Sequence, residues 1–171
     1  INKNVVVDLP IVGDVGHVLE DMIAAWTARK PVQDKAALGA WWKQIDGWRG
    51  RKCLTYRPSA EAIMPQYAIE RLHALTSGRD TYITTEVGQH QMWVAQFYSF
   101  TKPRTLLTSG GLGTMGYGFP ASVGAQFAFP DKKVIAVAGD GSLQMNIQEL
   151  ATVVSNKLPI KVVILNNRYL G

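Results

Sequence analysis

Two apolar runs near the end of the chain constrain its fold more than any other feature. VIAVA (134–138) is closed by Gly139-Asp140-Gly141, and IKVVIL (160–165) is closed by Asn166-Asn167, with 24 residues between Gly141 and Asn166. Both runs are short, continuous and β-branched, the pattern of buried strands. Between them Ile147, Leu150, Ala151 and Val154 fall on one helical face. Asn146 is placed to cap that helix, with Glu149 three residues on as in a capping box. The segment therefore predicts strand, turn, helix, strand: a parallel crossover.

That crossover puts Asp140 and Asn167 at the carboxyl ends of two parallel strands, where open α/β sheets bind ligands. Gly139 and Gly141 let the backbone approach a phosphate, and free turn amides can point at the anion. One carboxylate and one amide oxygen are hard ligands suited to Mg²⁺ that also binds phosphate and water. An ordinary βα turn capped by Asp would explain Gly-Asp-Gly alone. It would not call for paired asparagines on the next strand end.

The rest of the chain gives that crossover its setting. With 171 residues and 47% hydrophobic content, the chain can bury one sizeable core. NVVVDLPIV (4–12) reads as a short strand with its exit. Asp14 caps a helix carrying Val15, Val18, Leu19, Met22 and Trp26 on one face, and Asp34 precedes a second stripe of Leu38, Trp41, Ile45 and Trp48. At helical spacing, these tryptophans read as packing or interface residues rather than an aromatic binding box. A basic segment (49–57) follows, and marks a boundary: residues 1–57 as a domain tail plus linker, residues 58–171 as a second domain. From there Pro65 starts a helix with Ile69, Leu72 and Leu75 inward and Gly78 as its stop. DTYITTE (80–86) is a strand, QHQMWVAQFYSF (89–100) a helix, TLLTS (105–109) a strand, and ASVGAQFAF (121–129) a helix after Pro120. The alternation predicts an α/β fold with a doubly wound, mostly parallel sheet, cut short after its last strand.

Composition excludes several classes. The formal charge is +5, and half of the 18 basic residues lie in residues 1–60. Arg49, Arg51, Lys52 and Arg57 cluster there without the aromatics of a nucleic-acid module, so no nucleic-acid partner is expected. No apolar run approaches a membrane span, and the single cysteine, Cys53, cannot form an internal disulfide. These features fit a reducing cytosol. The start at Ile1 and the stop at Gly171 read as those of a fragment.

Two further segments carry chemistry. In VGQHQMW (87–93), Gln89 and His90 open a helix and can donate to an anion, although on chemistry alone a lone histidine is more often structural. His17 and His73 have no neighbouring acid or metal spacing. SGGLGTMGYGFP (109–120) lacks the context of a dinucleotide fingerprint. It reads as a loop whose carbonyls and one large apolar side chain, Met115, meet a flat ring, or else as a flexible surface loop.

Taken in order, VGQHQMW, TSGGLGTMGYGFPASVGAQ and GDGS-x-N-x-QEL…LNN resemble the catalytic large subunit of acetolactate synthase (acetohydroxyacid synthase), a thiamine diphosphate (ThDP) enzyme. The resemblance covers residues 58–171, and INKNVVVDLPIVGD resembles the end of that family's central domain. GDG…NN is shared by all ThDP enzymes; HQMW with GLGTMG is narrower.

The resemblance implies roles residue by residue. Asp140, the Asn167 side chain and the main-chain oxygen of Tyr169 would ligate Mg²⁺. Gln89, His90, Gly139, Gly141 and Ser142 would hold the diphosphate, with Asn167 beside it. The Gly113 carbonyl would accept from the cofactor's amino group, and Met115 would wedge beneath its rings. It implies decarboxylation of pyruvate and condensation with a second pyruvate or 2-oxobutyrate, in branched-chain amino-acid biosynthesis. FAD is implied for the full-length enzyme only. So are a homodimer or homotetramer, a regulatory small subunit, and a cytoplasmic location (plastid or mitochondrion in a eukaryote). The family's activating glutamate comes from an N-terminal domain of a partner subunit; Glu86 is the nearest acid here and does not match that position. No catalytic residue is therefore expected within these 171 residues, and the fragment alone should be inactive. Two alternatives stand beside this reading: another ThDP carboligase or oxidase, such as glyoxylate carboligase or pyruvate oxidase, and a non-catalytic ThDP-fold assembly protein.

Overall fold

The computed structural model describes residues 3–30 and 32–169. Ile1 and Gly171, the outer limits of the expected domains, lie outside the described residues. The chain divides into two units, Ile1–Cys53 and Leu54–Gly171.

In the first unit, α1 (Val15–Arg29) and α2 (Lys35–Arg49) begin where the aspartates predict. Asp14 accepts from the backbone N–H of Gly16 and His17, and Asp34 accepts from that of Ala37. Each cap satisfies donors that the first helical turn leaves free. The expected strand in 4–12 does not form. These residues are exposed, with no strand to pair with among the described residues of the unit. A run of valines gives β-propensity, but only a ladder makes a strand. The stripe on α1 is open to solvent: Leu19, Met22 and Trp26 are all exposed. On α2, Trp41 and Trp48 meet edge to face, their centroids 5.5 Å apart.

The second unit is built on a four-stranded parallel sheet in the order β2-β1-β3-β4. Its strands are β1 (Thr81–Thr85), β2 (Leu106–Thr108), β3 (Lys133–Gly139) and β4 (Lys161–Leu165). Five helices connect or precede them: α3 (Pro65–Thr76), α4 (Gln89–Phe97), α5 (Gly118–Ala128), α6 (Asp140–Gln144) and α7 (Glu149–Ser155). β3 pairs with β1 from Thr81↔Lys133 to Thr85↔Val137, and with β4 from Ile135↔Lys161 to Gly139↔Leu165. The predicted crossover is therefore present.

Side chains alternate across a strand. Ile83, Ile135 and Val137 turn to one face and cluster with Ile69 of α3, Val94 of α4 and Tyr98. Buried Phe119, Val123 and Ala125 of α5 lie outside that cluster, while α5 packs on β1, β2 and β3. Helices thus cover both faces, and the fold is α/β and doubly wound as expected.

Three local expectations are corrected. Leu75 points outward; Thr76 is buried instead, its hydroxyl 2.7 Å from that of Tyr98. α5 starts at Gly118, two residues before Pro120. Asn146 does not cap a helix: α7 begins at Glu149 after Gln148, and the Asn146 amide donates to the carbonyl of Gly116.

Candidate functional site

The order β2-β1-β3-β4 makes β1 and β3 adjacent strands whose chains depart to opposite sides. This is the topological switch point where open sheets leave a crevice at their carboxyl ends. A cleft of about 190 Å³ occupies that place. Each strand end contributes to it: Val87, Gly88, Gln89 and His90 follow β1; Met115 follows β2; Gly139, Asp140, Gly141 and Ser142 close β3; Leu165, Asn167 and Tyr169 close β4.

Backbone geometry sets the walls. Gly88 has φ +152°, and a Cβ there would stand 2.8 Å from His90 Cε1. A Cβ on Gly139 would come within 3.1 Å of the same carbon. The imidazole of His90 thus sits between two positions that only glycine leaves open. Buried His90 holds its Nε2 without a hydrogen-bond partner among the described residues. Burial pushes this imidazole below its usual range, opposed by a hydrogen bond to the Glu86 backbone and by the charge of Asp140.

Among the described residues, Asp140 is the one carboxylate lining the cleft. Asn167 Oδ1 accepts the backbone N–H of Tyr169 at 3.0 Å, and the parallel bond from Arg168 to Asn166 Oδ1 is 2.9 Å. An amide oxygen has two lone pairs, so this turn leaves Asn167 one for a ligand. Ser142 is buried, and its hydroxyl is engaged by its own turn: it accepts from Gly139 N–H at 3.1 Å and lies 3.2 Å from Gly139 O.

The glycine-rich loop is folded rather than loose. Ser109 accepts Gly113 N–H at its carbonyl (3.0 Å) and Thr114 N–H at its hydroxyl (3.0 Å). Glu86 is buried just past β1 and accepts Gly116 N–H at 2.7 Å and Phe119 N–H at 2.8 Å. Its carboxylate is therefore occupied by the loop and faces away from any role as a free acid in the cleft.

Of the residues singled out from sequence, Gln89, His90, Met115, Gly139, Asp140, Gly141, Ser142, Asn167 and Tyr169 line this one cleft. Gly113 does not; it is exposed on the loop, with Val87 Cγ1 3.9 Å from where its Cβ would be. Val87, Gly88, Trp93 and Leu165 also line it. The first three lie in the VGQHQMW segment, where the signal for them was present but unassigned.

The family described as thiamine pyrophosphate enzyme, C-terminal TPP binding domain, matches residues 86–171. The chain belongs to this thiamine pyrophosphate (diphosphate) enzyme family. Among its relatives are the acetolactate synthase isozyme 3 large subunit of Escherichia coli (strain K12), 52% identical over 171 residues, and the acetolactate synthase large subunit of Haemophilus influenzae, 43% identical. The chloroplastic acetolactate synthase of Arabidopsis thaliana is 46% identical. Each match covers all of this chain but only 30%, 30% and 25% of the relative, so the chain spans less than a third of their length.

Proposed function

We propose that this chain is the ThDP- and Mg²⁺-binding part of an acetolactate synthase large subunit. Residues 58–171 then form the cofactor domain and residues 1–57 the tail of a preceding domain. The single observation that carries the reading is the convergence of nine predicted residues on one cleft at the switch point.

The donor set fits the groups it would hold. Asp140 and Asn167 offer hard oxygens, and the main-chain oxygen of Tyr169 supplies a third. No cluster of three or more His, Cys, Asp or Glu exists among the described residues, so a transition-metal centre is not indicated. A divalent cation held by one carboxylate and neutral oxygens retains the charge to bind a diphosphate. The exposed amide of Gln89 supplies donors on the opposite wall, beside the unpartnered Nε2 of His90. Gly139 and Gly141 keep the backbone free of side chains where the anion would lie. Gly113 offers its carbonyl, and Met115 an apolar surface, on the side where the rings would sit. Bound ThDP supplies the electron sink for decarboxylating a 2-oxoacid. The protein's part is to position it and exclude competing geometry.

On this reading the full-length enzyme takes pyruvate and condenses the product with pyruvate or 2-oxobutyrate. It binds FAD outside these residues and works as a homo-oligomer with a regulatory small subunit. No helix of the described residues is long and apolar enough to cross a membrane, and cytoplasmic or plastid placement is proposed with the rest.

Calorimetry on the full-length enzyme tests the assignment. Asp140→Ala should remove Mg²⁺-dependent ThDP binding while the melting temperature stays near that of the parent. Near-normal affinity in that variant would overturn the metal role.

A further inference from the structure

Gly116 is buried, has φ +85°, and is held from both sides. Its N–H donates to Glu86, at the end of β1, and its carbonyl accepts from the Asn146 amide, in the segment that continues from β3 and α6. Asn146 Oδ1 in turn accepts from Gln148 Nε2 at 3.0 Å, which fixes the orientation of the amide. A Cβ on Gly116 would lie 2.6 Å from that amide nitrogen, so the close approach requires glycine. Met115, the next residue back, lines the cleft. Burying a carboxylate is costly unless its oxygens are satisfied. Glu86 has no ion-pair partner among the described residues; its bonds at 2.7 and 2.8 Å go to backbone amides of the loop and of α5.

We propose that Glu86 and Asn146 are positioning residues that clamp Gly116 between the end of β1 and the segment after α6 and thereby set the height of Met115 in the cleft. The inference rests on the reading of Met115 as the residue beneath the cofactor rings. The clamp makes the loop after β2 rigid with respect to the Gly139–Ser142 turn, so that the ring side and the diphosphate side of the cleft hold one spacing. Neither Glu86 nor Asn146 lines the cleft, so any effect on chemistry must pass through the loop.

The test uses the full-length enzyme. Asn146→Ala removes the hydrogen bond to Gly116 and the one from Gln148 at a half-buried side chain and should leave the fold intact; Glu86→Gln is the second variant. Each is made alone and together with Met115→Ala, and kcat, ThDP affinity and melting temperature are measured. A misplaced group about 1 Å from its productive position can cost about a hundredfold in rate. Asn146→Ala should therefore lower kcat about tenfold or more while ThDP affinity stays within about twofold. On the Met115→Ala background the same substitution should change kcat less than about twofold, because the side chain it positions is gone. If Met115→Ala lowers kcat but Asn146→Ala leaves it unchanged, or multiplies in full on that background, the clamp is overturned and the Met115 reading stands. If Met115→Ala alone leaves kcat normal, the ring-side reading fails and the inference with it. Should Glu86→Gln not fold, Asn146→Ala decides the question by itself.

Discussion

At the scale of single residues, two glycines of α5 make opposite predictions. A Cβ on Gly118 would stand 2.3 Å from the carbonyl carbon of Thr85 and 2.4 Å from the nitrogen of Glu86. These are backbone atoms of a central strand, which cannot move aside. Gly118→Ala should destabilise the unit by about 3 kcal/mol or more, at the upper end of overpacking costs. Gly124, six residues on in the same helix, has nothing within 4 Å of its Cβ position. There alanine only raises helix propensity, and Gly124→Ala should stabilise by about 0.5–1 kcal/mol. Thermal unfolding of the two variants side by side checks both signs. Equal melting temperatures would show that the contact of α5 with the end of β1 is looser than the geometry here. The absent Cβ of Gly118 lets Phe119 N–H reach Glu86, so one glycine serves both packing and the loop clamp.

At the scale of elements, the second unit was legible because its signals were redundant. VIAVA is apolar on both faces because both faces of the sheet are covered there, whereas IKVVIL forms an edge strand with no buried residue. Turn residues bound them, and the spacing between them holds a helix and two turns. Gly-Asp-Gly and Asn-Asn were assigned to strand ends, and strand ends converge at a switch point whatever the side chains do. What could not be read was partner choice. Asn146 has the sequence of a cap, but Gly116 offers its side chain a buried carbonyl from 30 residues away. Glu86 has the composition of a candidate acid, but two amides on another segment claim it. Val5–Val7 have the propensity of a strand but are given no ladder. Leu75 was expected inward by spacing, yet Tyr98 selects Thr76 through its hydroxyl. Three of these misses are long-range contacts overriding a local preference, and the valines lack the long-range pairing a strand needs.

The opposite end of the same sheet, where the strands begin, carries a prediction of its own. Asp80, before β1, pairs with Lys102, before β2, and with Lys132, before β3, the latter at 2.7 Å. Hydrogen bonds and charge from Lys102 and Lys132 lower its carboxyl from 3.8 to about 2. A carboxylate whose folded pKa is depressed contributes stability that is present above its unfolded pKa. That contribution is lost as the pH falls through the folded one. Asp80→Asn should therefore lower the urea midpoint slightly at pH 7. The difference from the parent should shrink between about pH 4 and pH 2, and also in high salt, because the pair is exposed. An equal difference at pH 7 and pH 2 would assign the effect to packing or to the backbone turn instead.

At the scale of the whole molecule, the second unit combines a cleft at the carboxyl ends of its strands with exposed apolar surface. Among the described residues Asp140 is the only acid lining the cleft, and the metal role proposed for it leaves no carboxylate among them to activate the cofactor. Ile147, Leu150 and Val154, read from sequence as one face of a helix, are all exposed, and among the described residues no strand pairs with the outer edge of β4. Exposed apolar stripes beside an open strand edge promote association. Expressed by themselves, these 171 residues should form no acetolactate from pyruvate with ThDP and Mg²⁺ supplied, and should scatter light as species heavier than 18.8 kDa. Turnover comparable to the full-length enzyme would show that a complete site lies within these residues and would overturn the expectation that the activating glutamate lies outside them. A stable monomer without turnover would leave the site assignments intact and show instead that α7 and β4 tolerate solvent, which would make their apolar residues part of the local packing rather than a surface awaiting cover.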